Sequence, residues 1–99
     1  SEKLALDRAL GILGKEVPWL DRGRLDVVDF RDEKLRGTHS FEGGEERVRL
    51  SRAITGDPGL TLRVLIHEVA HHAGGDGSKS HVSEIERLWS AVAERALGN

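Results

Sequence analysis

Val64-Leu65-Ile66-His67-Glu68-Val69-Ala70-His71-His72-Ala73 places the pattern H-E-x-x-H inside an apolar stretch free of proline. Leu62, Leu65, Ile66, Val69 and Ala73 recur at spacings of three and four, the period of an amphipathic helix that packs its apolar stripe on a core. On that helix His67 and His71 stand at i and i+4, on one face and about 6 Å apart along the axis, so both imidazoles can reach one metal ion. Glu68 then sits beside the ion without having to ligate it. This is the arrangement that metal-assisted hydrolysis requires: two imidazoles hold Zn2+, and a neighbouring carboxylate takes a proton from the water on the metal. The competing reading is a fortuitous histidine pair on a helix face, since the pattern arises in a chain of this length roughly once in several hundred trials. The apolar helical context favours the metal site.

Working outward, Asp57-Pro58 supplies an N-cap and a first helical residue for this helix, which is predicted to run to about Ala73 and stop at Gly74-Gly75. Ser80 or His81 opens a last helix, with Ile85, Leu88, Trp89, Val92 and Ala96 as its apolar face before Gly98. Upstream, Thr38 to Glu42 and Arg47 to Ser51 flank Gly43-Gly44 and predict a hairpin, with Val48 and Leu50 pointing to the core. Arg24 to Arg31 reads as a further strand whose alternation breaks at Val27-Val28. Leu6, Ala9, Leu10, Leu13 and Val17 form a helical stripe over about Glu2 to Glu16, weakened by Gly11 and Gly14 and ended by Pro18. The expected fold is α+β: an N-terminal helix, a small three-stranded, mainly antiparallel sheet, the motif helix and a C-terminal helix. The short break between the last two helices makes them antiparallel neighbours.

A chain of 99 residues supports one modest core, so residues 1–99 are expected to be a single domain. Fifteen basic against seventeen acidic residues leave a net charge of -2, which gives no electrostatic case for nucleic acid or an anionic membrane. Without cysteine there is no disulfide, thiolate ligand or thiol nucleophile, and any metal must be held by histidine and carboxylate. No apolar run approaches the roughly 20 residues of a membrane span, and Ser1-Glu2-Lys3 shows neither an initiator Met nor a signal peptide. These features suggest a domain excised from a longer protein or a processed product, cytoplasmic rather than exported, with other domains of the parent chain as partners that help decide what it acts on.

Zinc needs a third protein ligand and an open position. Asp76, His81 and Glu84 are the candidates. If the two helices meet at their ends, His81 stands close to His71, and an imidazole at a helix start is otherwise hard to account for. His81 is therefore the preferred third ligand. Glu84, one turn further on, is expected nearer the level of His67, holding the second nitrogen of an imidazole, or else as a solvated acid at a helix start. Asp76 lies in the turn Gly74-Gly75-Asp76-Gly77-Ser78, where a carboxylate more often bonds backbone amides. His72 lies about 100° round the helix from His71 and is expected to be a surface or packing residue. His39, in a strand, is expected to be ordinary, or else a hydrogen-bond donor to an oxyanion.

At His67-Glu68-x-x-His71 the chain resembles the zincin metallopeptidases, whose core has a small sheet, an active-site helix with this motif and a following helix that carries or supports the third ligand. The resemblance covers most of the predicted order of elements. Against the metzincin branch, Gly74 matches the motif's glycine, but the third-ligand position is Gly77 and the chain has no methionine for a Met-turn. Against the gluzincin branch, Glu84 fits the third-ligand glutamate, but Leu88 occupies its partner position. The stretch from His67 to Ser78, continuing through His81 to Ile85-Glu86 and Trp89, also looks like small zincin-like regions appended to bacterial ATP-binding proteins of the histidine-kinase type.

The resemblance implies a zinc-dependent metallopeptidase domain, with a peptide or protein substrate, in which His67, His71 and His81 bind Zn2+ and Glu68 activates the attacking water. It also implies that the strand from Arg47 to Ser51 is either a sheet edge along which an extended peptide lies or a plain structural strand. Zincins often use tyrosine or histidine for the oxyanion; without tyrosine, that role falls to His39, an arginine or a residue outside the chain. The alternative is a zinc-stabilised, non-catalytic interaction or regulatory domain of a larger protein, which a closed four-ligand site would favour. A metal-free helical interaction domain is the third reading.

Overall fold

The computed structural model describes residues 2–98. In chain order it contains α1 (Glu2–Leu13), β1 (Leu25–Val28), β2 (Gly37–Glu42), β3 (Glu45–Ser51), α2 (Pro58–Val69) and α3 (Lys79–Ala96), with single 3-10 turns at Arg22–Arg24, Arg52–Ile54 and Ala70–His72. This is the expected α+β arrangement.

Local chemistry accounts for most of the boundaries. The Asp57 carboxylate accepts the Leu60 N–H at 3.0 Å and Pro58 opens α2, so the helix starts where its capping residues put it. Ser78 caps α3 in the same way, accepting the His81 N–H, which starts that helix at Lys79 and not at Ser80. Gly43 and Gly44 both adopt positive φ, 59° and 80°, the conformation a two-residue hairpin turn needs to match strand twist. Helix α1 stops at Leu13, short of the predicted Glu16: at Gly14 a Cβ would lie 2.8 Å from the Leu10 carbonyl oxygen, and residues 14–16 form a turn. Helix α2 ends at Val69, earlier than the predicted Ala73, and tightens into the 3-10 turn Ala70–His72.

The strand order is β1-β3-β2. Strand β2 pairs with β3 antiparallel over the whole hairpin, and β1 joins the other side of β3 in parallel, with Leu25 opposite Val48 and Val28 opposite Ser51. The sheet is therefore mixed, with the antiparallel ladder the longer part. Of the two readings of the strand from Arg47 to Ser51, the structure excludes the sheet edge and leaves the plain structural strand. The strand around Arg47–Ser51 is central and paired on both sides, so it offers no free edge; the edge beside α2 belongs to β2.

Val48 and Leu50 are fully buried, as their alternation predicts, against Leu65, Ile66 and Val69 of α2, Leu6 and Leu13 of α1, and Leu88 of α3. Each such side chain contributes about 1.5–3 kcal/mol by leaving water. Ile85 and Val92 of α3 pack against this core, whereas Trp89 is exposed. The opposite face of the sheet carries the pairs Arg47–Asp26 and Arg49–Glu42, part-exposed and of small energetic weight. No helix among the described residues is long and apolar enough to cross a membrane.

Candidate metal centre

Packing fixes α2, because its buried face is Thr61, Val64, Leu65, Ile66 and Val69, and this turns His67 and Glu68 toward the strand edge and the loop beyond the helix. His71 follows in the 3-10 turn, and its ring centroid lies 5.2 Å from that of His67. From the first turn of α3, buried His81 stacks on His71 at 4.0 Å and meets His67 edge-on at 4.8 Å. Asp76 comes from the intervening loop, its carboxylate 3.2 Å from His67 Nε2 and 3.5 Å from His71 Nε2. One donor atom from each of His67, His71, Asp76 and His81 lies within 4.8 Å of all the others, so these four can hold a metal ion. The three predicted histidines are brought together, and Asp76 joins them.

The donor set fits a divalent cation on its own chemistry. His71 Nδ1–H donates to the Gly74 carbonyl at 3.1 Å, which in the neutral ring leaves Nε2 as a lone pair. That lone pair faces the Asp76 carboxylate, which His67 Nε2 also faces. Acceptor opposite acceptor is repulsive unless a proton or a cation lies between them. Three imidazoles and a carboxylate, with no thiolate, form a nitrogen- and oxygen-donor set of the kind that first-row divalent ions take. Asp76 already stands at ligand-to-ligand distance from His67 and His71, 3.2 and 3.5 Å, while all four donors lie within 4.8 Å of one another. In the structure His81 Nε2–H donates to the His67 carbonyl at 3.1 Å and Nδ1 accepts from Gly77 N–H at 3.4 Å; ligation would exchange one of these bonds for the metal.

Glu68 lies beside the cluster, its carboxylate 4.0 Å from His71 Nε2 and largely buried. Burial raises its pKa above the usual carboxylate value, while His67, His71 and His39 pull it down. Two cavities open on either side of it. One, of about 390 Å³, runs toward Leu35 and Val64; the other, of about 400 Å³, runs toward His39, His71 and Gly75, and both include Gly37. Gly37 is what lets β2 lie so close to α2: a Cβ there would stand 2.9 Å from Val64 Cγ1 and 3.0 Å from Glu68 Cγ.

The remaining sequence candidates fall out as follows. Glu84 does not support a cluster imidazole; it accepts from His72 Nε2–H and pairs with Arg87, which also bonds Glu16. His72 is a packing residue, set edge-on against Trp19. His39 reaches the site, its ring 6.1 Å from His71 and its Nε2–H donating to Glu46. Sequence reasoning missed Gly37 as the residue that seats the edge strand; a glycine opening a strand is the one signal that points to it. No protein-family model, curated protein or solved structure matches the chain.

Proposed function

We propose that this domain is a zinc-dependent peptidase of the zincin type. The observation that carries the reading is Glu68: a shielded carboxylate beside three clustered imidazoles and between two cavities. Zinc bound by the histidines would supply Lewis acidity, bringing a coordinated water toward a pKa of about 7 and polarising the peptide carbonyl. Glu68 would take the proton of the attacking water and deliver it to the leaving amine, its position beside the histidines placing it within reach of both. The peptide's main chain finds partners on β2. Thr38, Ser40 and Glu42 bond to β3, so the N–H and C=O groups of Gly37, His39 and Phe41 face outward, with Gly37 and His39 beside Glu68. His39 lines the same cavity, but its Nε2–H is already given to Glu46, so the neutral ring has no second N–H for a developing oxyanion.

Glu68→Gln in zinc-loaded protein is expected to abolish peptide hydrolysis and leave zinc content and thermal stability nearly unchanged. Hydrolysis retained by that variant removes Glu68 from the role.

Asp76 supports a second reading, a zinc-stabilised non-catalytic domain. With Asp76 bound as well as three histidines, the coordination is filled and no position is left for water. Asp76 is also the most exposed of the four donors and is carried between glycines, so substrate can displace it. The peptidase reading expects Asp76→Ala to keep or raise activity; the non-catalytic reading expects it to lower zinc affinity with no activity in either protein.

A further inference from the structure

We propose that the cavity beside His67 and Glu68 recognises a carboxylate of the peptide, so that the substrates are acidic next to the cleaved bond. The inference rests on the peptidase reading and adds the substrate class.

The wall of this cavity is apolar, built from Leu35, Val64 and Gly37, while Lys34, Arg36 and Arg63 surround it. Among the described residues none of these three cationic side chains has an ion pair or side-chain hydrogen bond. Unpaired surface cations are common; three of them converging on one cavity, in a chain of net charge -2, are not expected from composition. The acids of the same loop are segregated from them. Asp32 and Glu33 line a different cavity together with Asp29 and Ser51. Backbone bonds hold this arrangement: the Asp32 carboxylate accepts Lys34 N–H, the Asp32 carbonyl accepts Leu35 N–H, and the Arg36 carbonyl accepts Ser51 N–H at 2.8 Å. The one carboxylate lining the cavity is Glu68, the proposed base. An aspartate or glutamate side chain would lay its methylenes on Leu35 and Val64 and its charge among the cations. A free C-terminal carboxylate would meet the same groups.

The test is calorimetric binding of hydroxamate probes to the zinc-loaded protein. Acetohydroxamate has no side chain and reports the metal centre alone. Malonyl-hydroxamate amides carrying glutamate, glutamine or lysine report the cavity, and an alanine probe ending in a free acid separates a chain terminus from a side chain. The glutamate probe is expected to bind about tenfold more tightly than the glutamine probe, with lysine weakest. The double variant Arg36→Glu, Arg63→Glu, both at exposed positions, should reverse the order of glutamate and lysine. Tight binding of the free-acid alanine probe with no glutamate preference assigns the cavity to a C-terminus and keeps the carboxylate reading. Acetohydroxamate binding with all side-chain and free-acid probes equal, or with the order unchanged by charge reversal, overturns this inference and leaves the peptidase reading standing. Absence of zinc or acetohydroxamate binding overturns both.

Discussion

His71 and His72 are chain neighbours in opposite electrostatic settings. His72 donates to Glu84, and Glu84 is neutralised by Arg87, which also reaches the side chain and carbonyl of Glu16. That network contains its own cation. His71 looks the other way, into two further imidazoles and a carboxylate with no lysine or arginine among them. Residue type does not separate the two histidines, and helical position separates only the directions they face. An arginine on α3 separates the settings, by neutralising one cluster and leaving the other without a cation of its own.

Removing each imidazole in turn gives the widest expected separation. His71→Ala should lower zinc affinity by at least about 100-fold in equilibrium dialysis, while His72→Ala stays within about twofold of wild type. Equal losses would erase the distinction. Thermal melts give the same contrast as stability: zinc at 100 times its Kd should stabilise wild type and His72→Ala by about 2.7 kcal/mol and His71→Ala by almost nothing. Arg87→Ala attacks the closed network instead. It is expected to cost about 1 kcal/mol in urea unfolding, because Arg87 is half in solvent and Glu84 keeps its bond to His72, with zinc stoichiometry unchanged.

Acid titration should give the smallest effect. Arg87 and His72 hold Glu84 down to about 2 from an ordinary 4.5, against the opposing push of burial. A folded-state value below the unfolded one contributes stability that is complete above the unfolded value and lost as pH falls from there toward 2. The advantage of wild type over Glu84→Gln in urea should therefore shrink by on the order of 1 kcal/mol between about pH 6 and pH 3, a modest figure because Arg87 is half in solvent.

The features legible in the sequence are those that neighbours in the chain decide. Asp57-Pro58, Gly43-Gly44 and the alternation of Val48 and Leu50 act locally, and each is found in its predicted role. The donors are legible for the same reason: His67, His71, Asp76 and His81 are ligating residue types within one short stretch that turns back on itself. Turn chemistry predicts an Asp76 bonded to backbone amides, yet its carboxylate stands 3.2 Å from His67 Nε2 and 3.5 Å from His71 Nε2, an approach set by the path of the whole loop between two helices and not by any one turn residue. Helical spacing predicts Glu84 beside a metal-binding imidazole. A helical wheel at 100° per residue does not contain the 3-10 turn at Ala70–His72, which rotates about 120° per residue and brings His72 to Glu84. The central position of β3 and the approach of His39 depend on strand order, which no local signal in this chain encodes.

All four donors fall within residues 67–81, whereas the groove beside them is built with residues 34–39, far upstream. The two parts therefore assemble on different timescales. Closing a loop of about ten residues takes on the order of 10–100 ns, while docking the edge strand must wait for the long-range pairing of the sheet. Formation of the four-donor cluster and formation of the groove wall are thus separable events in folding, since one depends on the turn between α2 and α3 and the other on the sheet.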